Sequence, residues 1–177
     1  MRPVSGLVRI APLDNRVLNR IGARCHPESM SYLQAPGNWL VVLVSLVIVS
    51  LCVVLHFEVL SACNRYLAKL SHQRRRRVLL LMFIILSTHI AEIWLFGAGY
   101  MLLVGNGLGT LMGLPATSLP DFVYFSAVTY ATVGFGDVVP AGAIRFLAGM
   151  ESLTGFVMIT WSASYTFLEM QRDWRPG

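Results

Sequence analysis

The stretch TYATVGFGD occupies residues 129–137, between a short amphipathic segment and a long apolar one. It combines hydroxyl side chains with two glycines, Gly134 and Gly136, which can adopt backbone angles closed to other residues. The structure that such a run predicts depends on whether it lies in water or in lipid, because irregular backbone at membrane depth must be shielded by protein or line water. The composition of the chain decides between these settings.

The composition indicates a membrane protein. Of the 177 residues, 55% are hydrophobic and only 13% are charged, whereas soluble domains carry about 25% charged residues. The charge is also uneven, since long stretches have none. The three cysteines, Cys25, Cys52 and Cys63, are odd in number and irregularly spaced, which predicts neither a disulfide framework nor a metal site.

The net charge of +5 is concentrated between two apolar segments, where six basic residues occur between positions 65 and 77. Four of them are consecutive: Arg74, Arg75, Arg76 and Arg77. The positive-inside rule places such a segment in the cytoplasm. The four arginines are also candidates for binding anionic lipid head groups, although topology alone accounts for them. The segment is short and poor in aromatic residues, so no nucleic-acid partner is predicted.

The chain divides into four segments: 1–38, 39–77, 78–170 and 171–177. The first contains five arginines and no long apolar run. It is expected to be disordered or wrongly assigned, with Met30 as an alternative start. The second combines an apolar span with the basic loop, the third holds the two other spans, and the fourth is a cytoplasmic tail.

Three apolar spans are predicted, since about 20 apolar residues cross the hydrocarbon core of a bilayer. They are Trp39 to about Leu60, Val78 to about Val104 and Ala143 to about Leu168. Residues 105–120 are predicted to be a flexible outer loop, rich in glycine and proline. Residues 120–131 are predicted to be a helix too short to span, beginning at Pro120 with Asp121 capping its first turn.

The distribution of charge sets the orientation. Residues 98–143 contain no lysine or arginine, so this region is expected outside, with the basic loop and the C-terminus in the cytoplasm. Three spans then place the N-terminus outside, which conflicts with the five N-terminal arginines unless the chain begins at Met30. The expected location is the plasma or inner membrane, which the chain crosses several times.

A short helix followed by a glycine run predicts a backbone that enters the membrane from outside without crossing it. If the residues of this strand alternate between left- and right-handed angles, successive carbonyl groups point to one side. Rings of such oxygens, together with the Thr132 hydroxyl, can replace the hydration shell of a cation.

The run Thr132-Val133-Gly134-Phe135-Gly136-Asp137 resembles the potassium-channel signature T-V-G-Y-G-D, within an outer helix, pore helix, filter and inner helix over about residues 80–170. The resemblance implies an all-α membrane protein with three transmembrane helices, a re-entrant pore helix and an extended selectivity filter. It also implies a homotetrameric pore, because one chain supplies one filter strand. Residues 78–170 are then the pore domain.

The resemblance also implies roles for individual residues. The filter would comprise Thr132, Val133, Gly134, Phe135 and Gly136. K⁺, the permeant ion, would be bound at Thr132, Val133, Gly134 and Phe135, and no cofactor is implied. Thr129 matches a hydroxyl position at the end of the pore helix, and Asp137 would attract cations at the outer mouth.

The implied function is a K⁺-selective channel that passes ions down their gradient, not an enzyme. Phe135 departs from the usual tyrosine and lacks the phenol that would bond to the surrounding pore helices. This difference leaves a weakly selective cation channel as one alternative. A non-conducting membrane subunit that regulates another protein is a second alternative.

The last span has a glycine, Gly155, where many such channels have a hinge, although close helix packing explains it equally well. If Gly155 faces the pore, helical spacing places four more residues on the same stripe. They are Ile159, Ser162, Thr166 and Glu169. The competing face carries Ser164.

Ionisable residues inside a span are costly and mark functional sites. His89 and Glu92, three residues apart, are interpreted either as a pH sensor or as a buried hydrogen-bonded cluster that locks helices together, and the second interpretation is favoured. His56 and Glu58 are expected at the membrane interface or beside the basic loop.

Overall fold

The computed structural model describes residues 36–67, 74–114 and 118–174. The predictions made for residues 1–35, including a start at Met30, lie outside these ranges. The same is true of residues 68–73 of the basic loop and of 175–177 in the tail.

Four helices and two short strands make up the described part of the chain. In order they are α1 (Pro36–Leu67), α2 (Arg74–Gly105), β1 (Gly109–Met112), α3 (Leu119–Tyr130), β2 (Val139–Gly142) and α4 (Ile144–Trp174). The predicted helices are therefore all present. Their ends differ: residues 36–38, expected to be disordered, already belong to α1, and the arginine run forms the first turn of α2 rather than a loop.

Within the described ranges, two helices are long and apolar enough to cross a membrane. They are α1, over Gly37–Tyr66, and α2, over Arg76–Gly105. Each of these two spans is 30 residues long and extends over about 45 Å of helix axis. α4, the third predicted span, has 31 residues, but Glu151 and a series of hydroxyl side chains make it less apolar.

The structure is mostly helical, as predicted, but a small antiparallel ribbon includes part of residues 105–120, which were predicted to be a flexible loop. β1 pairs with β2, with Gly109 opposite Gly142 and Met112 opposite Val139. The two strands approach so closely that a Cβ on Gly109 would lie 2.5 Å from the Ala141 carbonyl oxygen. The ribbon therefore fastens the segment that follows α2 to the segment that precedes α4.

The start of α3 differs from the prediction that Asp121 caps the first-turn amides. The Asp121 carboxylate instead accepts hydrogen bonds from the hydroxyl and the backbone N–H of Ser118, at 2.6 and 2.8 Å. These bonds lower the pKa of the Asp121 carboxyl. Pro120 lies in the first turn, where its missing N–H would have no helical partner.

The main core forms where α3 packs against α2 and α4. Its largest fully buried side chains include Phe96 and Tyr100 of α2, Tyr130 of α3 and Leu147 of α4. Gly97 of α2 allows close packing, since a Cβ there would lie 3.2 Å from the Val123 Cα. The short helix is thus held from behind by both long helices.

Candidate functional site

The backbone that follows α3 alternates in handedness. Thr132, Gly134 and Gly136 have φ angles of 56°, 55° and 80°, whereas Val133 and Phe135 between them are not in the positive-φ region. Thr132 is the one non-glycine residue with positive φ in the described ranges. Such an alternation turns successive peptide groups of an extended strand so that their carbonyls can share one side.

Hydrogen bonds orient the first half of this strand. The amides of Thr132 and Val133 donate to the carbonyls of Thr129 and Val128, both at 3.0 Å, and the Gly134 amide donates to Val128 at 3.3 Å. No carbonyl of residues 132–136 accepts a hydrogen bond from a backbone amide within the described ranges. The strand therefore bonds its amides to the end of α3 and leaves its carbonyls available as acceptors.

The strand lies at the surface of the single chain. All residues from 131 to 137 are exposed, and the exposed fractions of Val133 and Phe135 reach 53% and 71%. Beside it lies a groove lined by Thr129, Thr132, Gly134 and Ser152, among others. One chain thus presents a row of carbonyls and two apolar side chains without covering them.

Asp137 is held in place at the end of the strand. Its Oδ2 accepts a hydrogen bond from the Tyr124 hydroxyl of α3 at 2.7 Å, and its Oδ1 accepts one from the Val138 amide at 3.0 Å. The bond to Asp137 raises the pKa of the Tyr124 phenol. Sequence reasoning missed Tyr124, because no short-range pattern relates two residues 13 positions apart. The Tyr124 hydroxyl thus stabilises the end of the strand through Asp137. Phe135 has no hydroxyl and cannot make a bond of this kind.

Gly155 of α4 packs tightly against the end of α3. A Cβ at this position would lie 2.1 Å from the carbonyl oxygen of Tyr130 and 2.8 Å from its carbonyl carbon. The neighbouring Ser152 hydroxyl donates to the Thr129 carbonyl at 3.3 Å. Of the two interpretations of Gly155, the geometry favours close packing over a hinge.

The stripe predicted to line a pore from Gly155 does not face outward. Ser162, Thr166 and Glu169 are buried within the single chain, so they face its own helices and are unavailable to a channel between copies. Ile159 alone of the five is exposed. The prediction of this stripe was wrong because it assumed that Gly155 faces a pore, whereas Gly155 faces α3.

Another stripe of α4 continues from Ser152 on the side where the strand lies. Phe156, Ile159, Ala163 and Phe167 follow at helical spacing, and all four are exposed. This face is apolar, whereas the predicted one carried hydroxyls and a carboxylate. Ser164, on the competing face considered from the sequence, is exposed as well.

Glu169 pairs with Arg77 of α2. The exposed fractions of the two side chains are only 5% and 17%. This ion pair corrects two expectations: Glu169 does not present a free carboxylate at an inner mouth, and Arg77 is not free to meet a lipid head group. Arg76 is exposed, and the side chains of Arg74 and Arg75 lie outside the described part.

A buried polar cluster forms around Glu92. Its carboxylate bonds to His56 Nδ1 at 3.0 Å, to His89 Nδ1 at 3.2 Å and to the Tyr130 hydroxyl. His56 Nε2 lies 3.0 Å from the Ser162 hydroxyl. The arrangement fits the interpretation of a cluster that locks helices together. The interface position expected for His56 is wrong, because its side chain is buried between α1, α2 and α4.

A second buried carboxylate, that of Glu151 in α4, connects α4 to α2 and α3 by hydrogen bonds. It accepts hydrogen bonds from the Tyr100 hydroxyl of α2 and the Ser126 hydroxyl of α3, both at 2.5 Å. Ser126 also lies 2.8 Å from the Ile93 carbonyl. The sequence shows Glu151 as an acid inside an apolar stretch, but its partners lie 25 and 51 residues away, so they could not be identified from spacing.

Comparison with known proteins adds a family match. A protein-family model described as "Ion channel" matches residues 78–172, from near the start of α2 to near the end of α4 and over more than half of the chain. The match confirms the resemblance drawn from residues 132–137 and its surroundings. No solved structure matches the chain.

Two curated bacterial proteins, both called Protein LctB, are similar to part of the chain. The one from Geobacillus stearothermophilus is 36% identical over 70 residues, which cover 36% of this chain and 52% of that protein. The one from Bacillus caldotenax is 30% identical over 84 residues, which cover 44% and 63%. The chain thus spans only about half to three-fifths of these relatives, whose names state no activity.

Proposed function

Since the chain belongs to the ion-channel family, we propose that four copies of it form a channel that passes K⁺ passively across a membrane. Residues 132–136 of each copy would form the filter, with K⁺ bound at Thr132 to Phe135. Asp137 would lie at the outer mouth. K⁺ would be the permeant ion, and the proposal includes no cofactor.

The observation that carries this proposal is the alternating backbone of residues 132–136. The amides at its start are bonded to the carboxyl end of α3, and its carbonyls accept no hydrogen bond from a backbone amide of the described residues. Carbonyl oxygens that are not consumed inside the chain can replace the water around a dehydrated cation. The carboxyl end of α3 also carries the negative end of the helix dipole, which favours a cation beside Thr132.

The exposure of the same strand supports assembly into a closed ring. Free carbonyls at membrane depth require shielding by protein or a water-filled axis, and one chain supplies neither. Cyclic symmetry around the strand would place four copies of it face to face. The groove beside Thr132 and Ser152 would then be covered by the neighbouring copy.

The route on the other side of the filter would follow the exposed stripe of α4. Phe156, Ile159 and Phe167 would give the inner part of the pore an apolar wall. We place α1, α2 and α4 across the membrane, with the residue 105–143 region outside and the basic start of α2 inside. The C-terminus is then cytoplasmic.

Ion flux into liposomes that contain the purified protein tests this proposal. Influx is measured first with a K⁺ gradient and then with an equal Na⁺ gradient. We expect flux of K⁺ and little of Na⁺. Gly134→Asp should abolish the flux, since Gly134 has a φ of +55° that side chains rarely adopt.

Gly107→Asp is the matched control. Gly107 also has a positive φ, +72°, and open space around it, but it lies in the turn after α2. The Gly107→Asp variant should conduct ions like the unaltered protein. Equal K⁺ and Na⁺ flux would instead favour the weakly selective channel that Phe135 suggests. An absence of flux in both gradients would contradict conduction by this chain alone and favour a silent subunit.

A further inference from the structure

The cluster around Glu92 brings together three groups that bind transition metals. One ring nitrogen of His56, one of His89 and a carboxylate oxygen of Glu92 all lie within 4.8 Å of one another. We propose that these residues form a binding site for a divalent transition-metal ion such as Zn²⁺. The site is separate from the strand at residues 132–136, and its existence does not depend on ion passage.

The distances suit a small metal ion. Zn²⁺ binds imidazole nitrogen and carboxylate oxygen at about 2.0–2.2 Å in a tetrahedral arrangement, which separates neighbouring ligand atoms by about 3.4 Å. The His56 Nδ1 to Glu92 Oε1 distance is 3.0 Å and the His89 Nδ1 to Glu92 Oε2 distance is 3.2 Å. Small rotations of these side chains would therefore open the space that the ion needs.

The chemistry of the ligands favours zinc over the hard cations. Two imidazole nitrogens with one carboxylate oxygen suit Zn²⁺ and related ions, whereas Mg²⁺ and Ca²⁺ prefer oxygen ligands. The remaining nitrogen of His56 lies 3.0 Å from the Ser162 hydroxyl. With a metal on Nδ1, the Nε2–H of His56 would donate to Ser162, and such outer contacts orient metal-binding histidines.

The charge of the cluster also favours a cation. Glu92 is fully buried, and within the described ranges its side-chain hydrogen-bond partners are His56, His89 and Tyr130, with no lysine or arginine among them. A carboxylate inside a membrane protein is costly without a compensating charge. A divalent ion would supply that charge at the point where the carboxylate lies.

The site is accessible to solvent on one side and lies close to the strand at residues 132–136. The His89 side chain retains an exposed fraction of 14%, whereas His56 and Glu92 have 1% and none, so an ion would arrive on the His89 side. Tyr130, which bonds to Glu92, lies two residues before Thr132. A bound ion would therefore link α1 to α2 directly beneath the strand.

Co²⁺ is the probe for the first experiment, because its visible absorption reports four-coordinate binding. The full-length protein, free of any histidine tag and treated with a chelator, is titrated with Co²⁺ in detergent. We expect about one ion per chain, displaced by Zn²⁺. His56→Gln with His89→Gln should lose the absorption. His26→Gln with His72→Gln, which removes the two other histidines, should retain it.

Ser162→Ala provides a second variant that keeps all three ligands. Loss of this outer contact should weaken Co²⁺ binding about 10–100-fold. The proposal is overturned if the unaltered protein gives no four-coordinate spectrum, or if His56→Gln with His89→Gln binds as tightly as the control pair. If that double variant does not fold, an unchanged affinity in Ser162→Ala overturns it.

Discussion

Gly155 shows how a single missing side chain positions the end of α3. The backbone of α4 approaches the Tyr130 carbonyl so closely that no other residue fits without movement of one helix. Gly149, earlier on the same helix, marks open space, since a Cβ added there would have no neighbouring atom within 4 Å. The two glycines therefore differ in what they contribute to the fold.

Gly155→Ala should destabilise the protein by about 1–3 kcal/mol, because the added methyl group overlaps the backbone of α3. Gly149→Ala should leave stability unchanged or raise it by up to about 1 kcal/mol, since alanine favours a helix. Thermal unfolding in detergent, followed by circular dichroism, measures both. Equal stability of the two variants would contradict the packing role and return Gly155 to the hinge interpretation.

At this scale, sequence reasoning located residues whose roles are local and missed those whose partners are distant. The glycines of residues 132–136 indicate a positive φ by their type alone. Tyr124 carries no such mark, because its bond to Asp137 exists only after the chain turns back along α3. Ser162 was placed on the wrong face, because a helix repeat gives spacing but not the direction of its partner.

At the scale of elements, the arginines at the start of α2 stand in an unfavourable place. Cations at the amino end of a helix oppose the helix dipole, yet residues 74–77 are all arginine. Arg77 gains a compensating contact by pairing with Glu169 near the end of α4. The pair joins α2 to α4 at the end far from the ribbon.

Arg77→Met or Glu169→Leu alone should each cost about 3–5 kcal/mol of stability, because either change leaves a largely buried charge without its partner. Arg77→Met with Glu169→Leu should cost clearly less than the sum, since no charge remains. A double-mutant cycle on thermal unfolding measures the coupling. Additive single changes would show that the pair contributes nothing.

The elements themselves were predictable to different degrees. Long uncharged runs made α1 and α2 evident, since lipid allows backbone groups to be satisfied only within a helix or a closed barrel. β1 and β2 were not predicted, because short strands that contain glycine and proline show no alternation of apolar and polar side chains. His56 was misplaced for a similar reason: its position along the span was clear, but its partners on α2 and α4 were not.

At the scale of the whole molecule, the strand at residues 132–136 is incomplete in a single chain. Val133 and Phe135 are exposed, and the carbonyls between them have no partner among the described amides. The sequence indicated assembly only through resemblance, since no residue type marks a symmetry axis. The exposure provides a physical reason for the same expectation.

K⁺ should therefore stabilise the assembled protein more than Na⁺ does. An ion that binds only the closed ring shifts the equilibrium toward it, by about 2.7 kcal/mol at a concentration of 100 times Kd. The temperature at which tetramers dissociate, read by native mass spectrometry after heating in KCl or NaCl, measures this effect. Gly134→Asp should lose the difference between the salts. Equal dissociation temperatures for the unaltered protein would contradict the proposed filter.

The ribbon has a mechanical consequence. Through β1 and β2 the outer end of the strand is fastened to the segment that leaves α2, and through Tyr130 and Glu92 its inner end is fastened to α2 itself. Both ends of the strand are thus connected to α2 or to the segment that follows it. A tilt of α2 should therefore move both ends of the strand together. The spacing between the carbonyl oxygens of the strand should then change little.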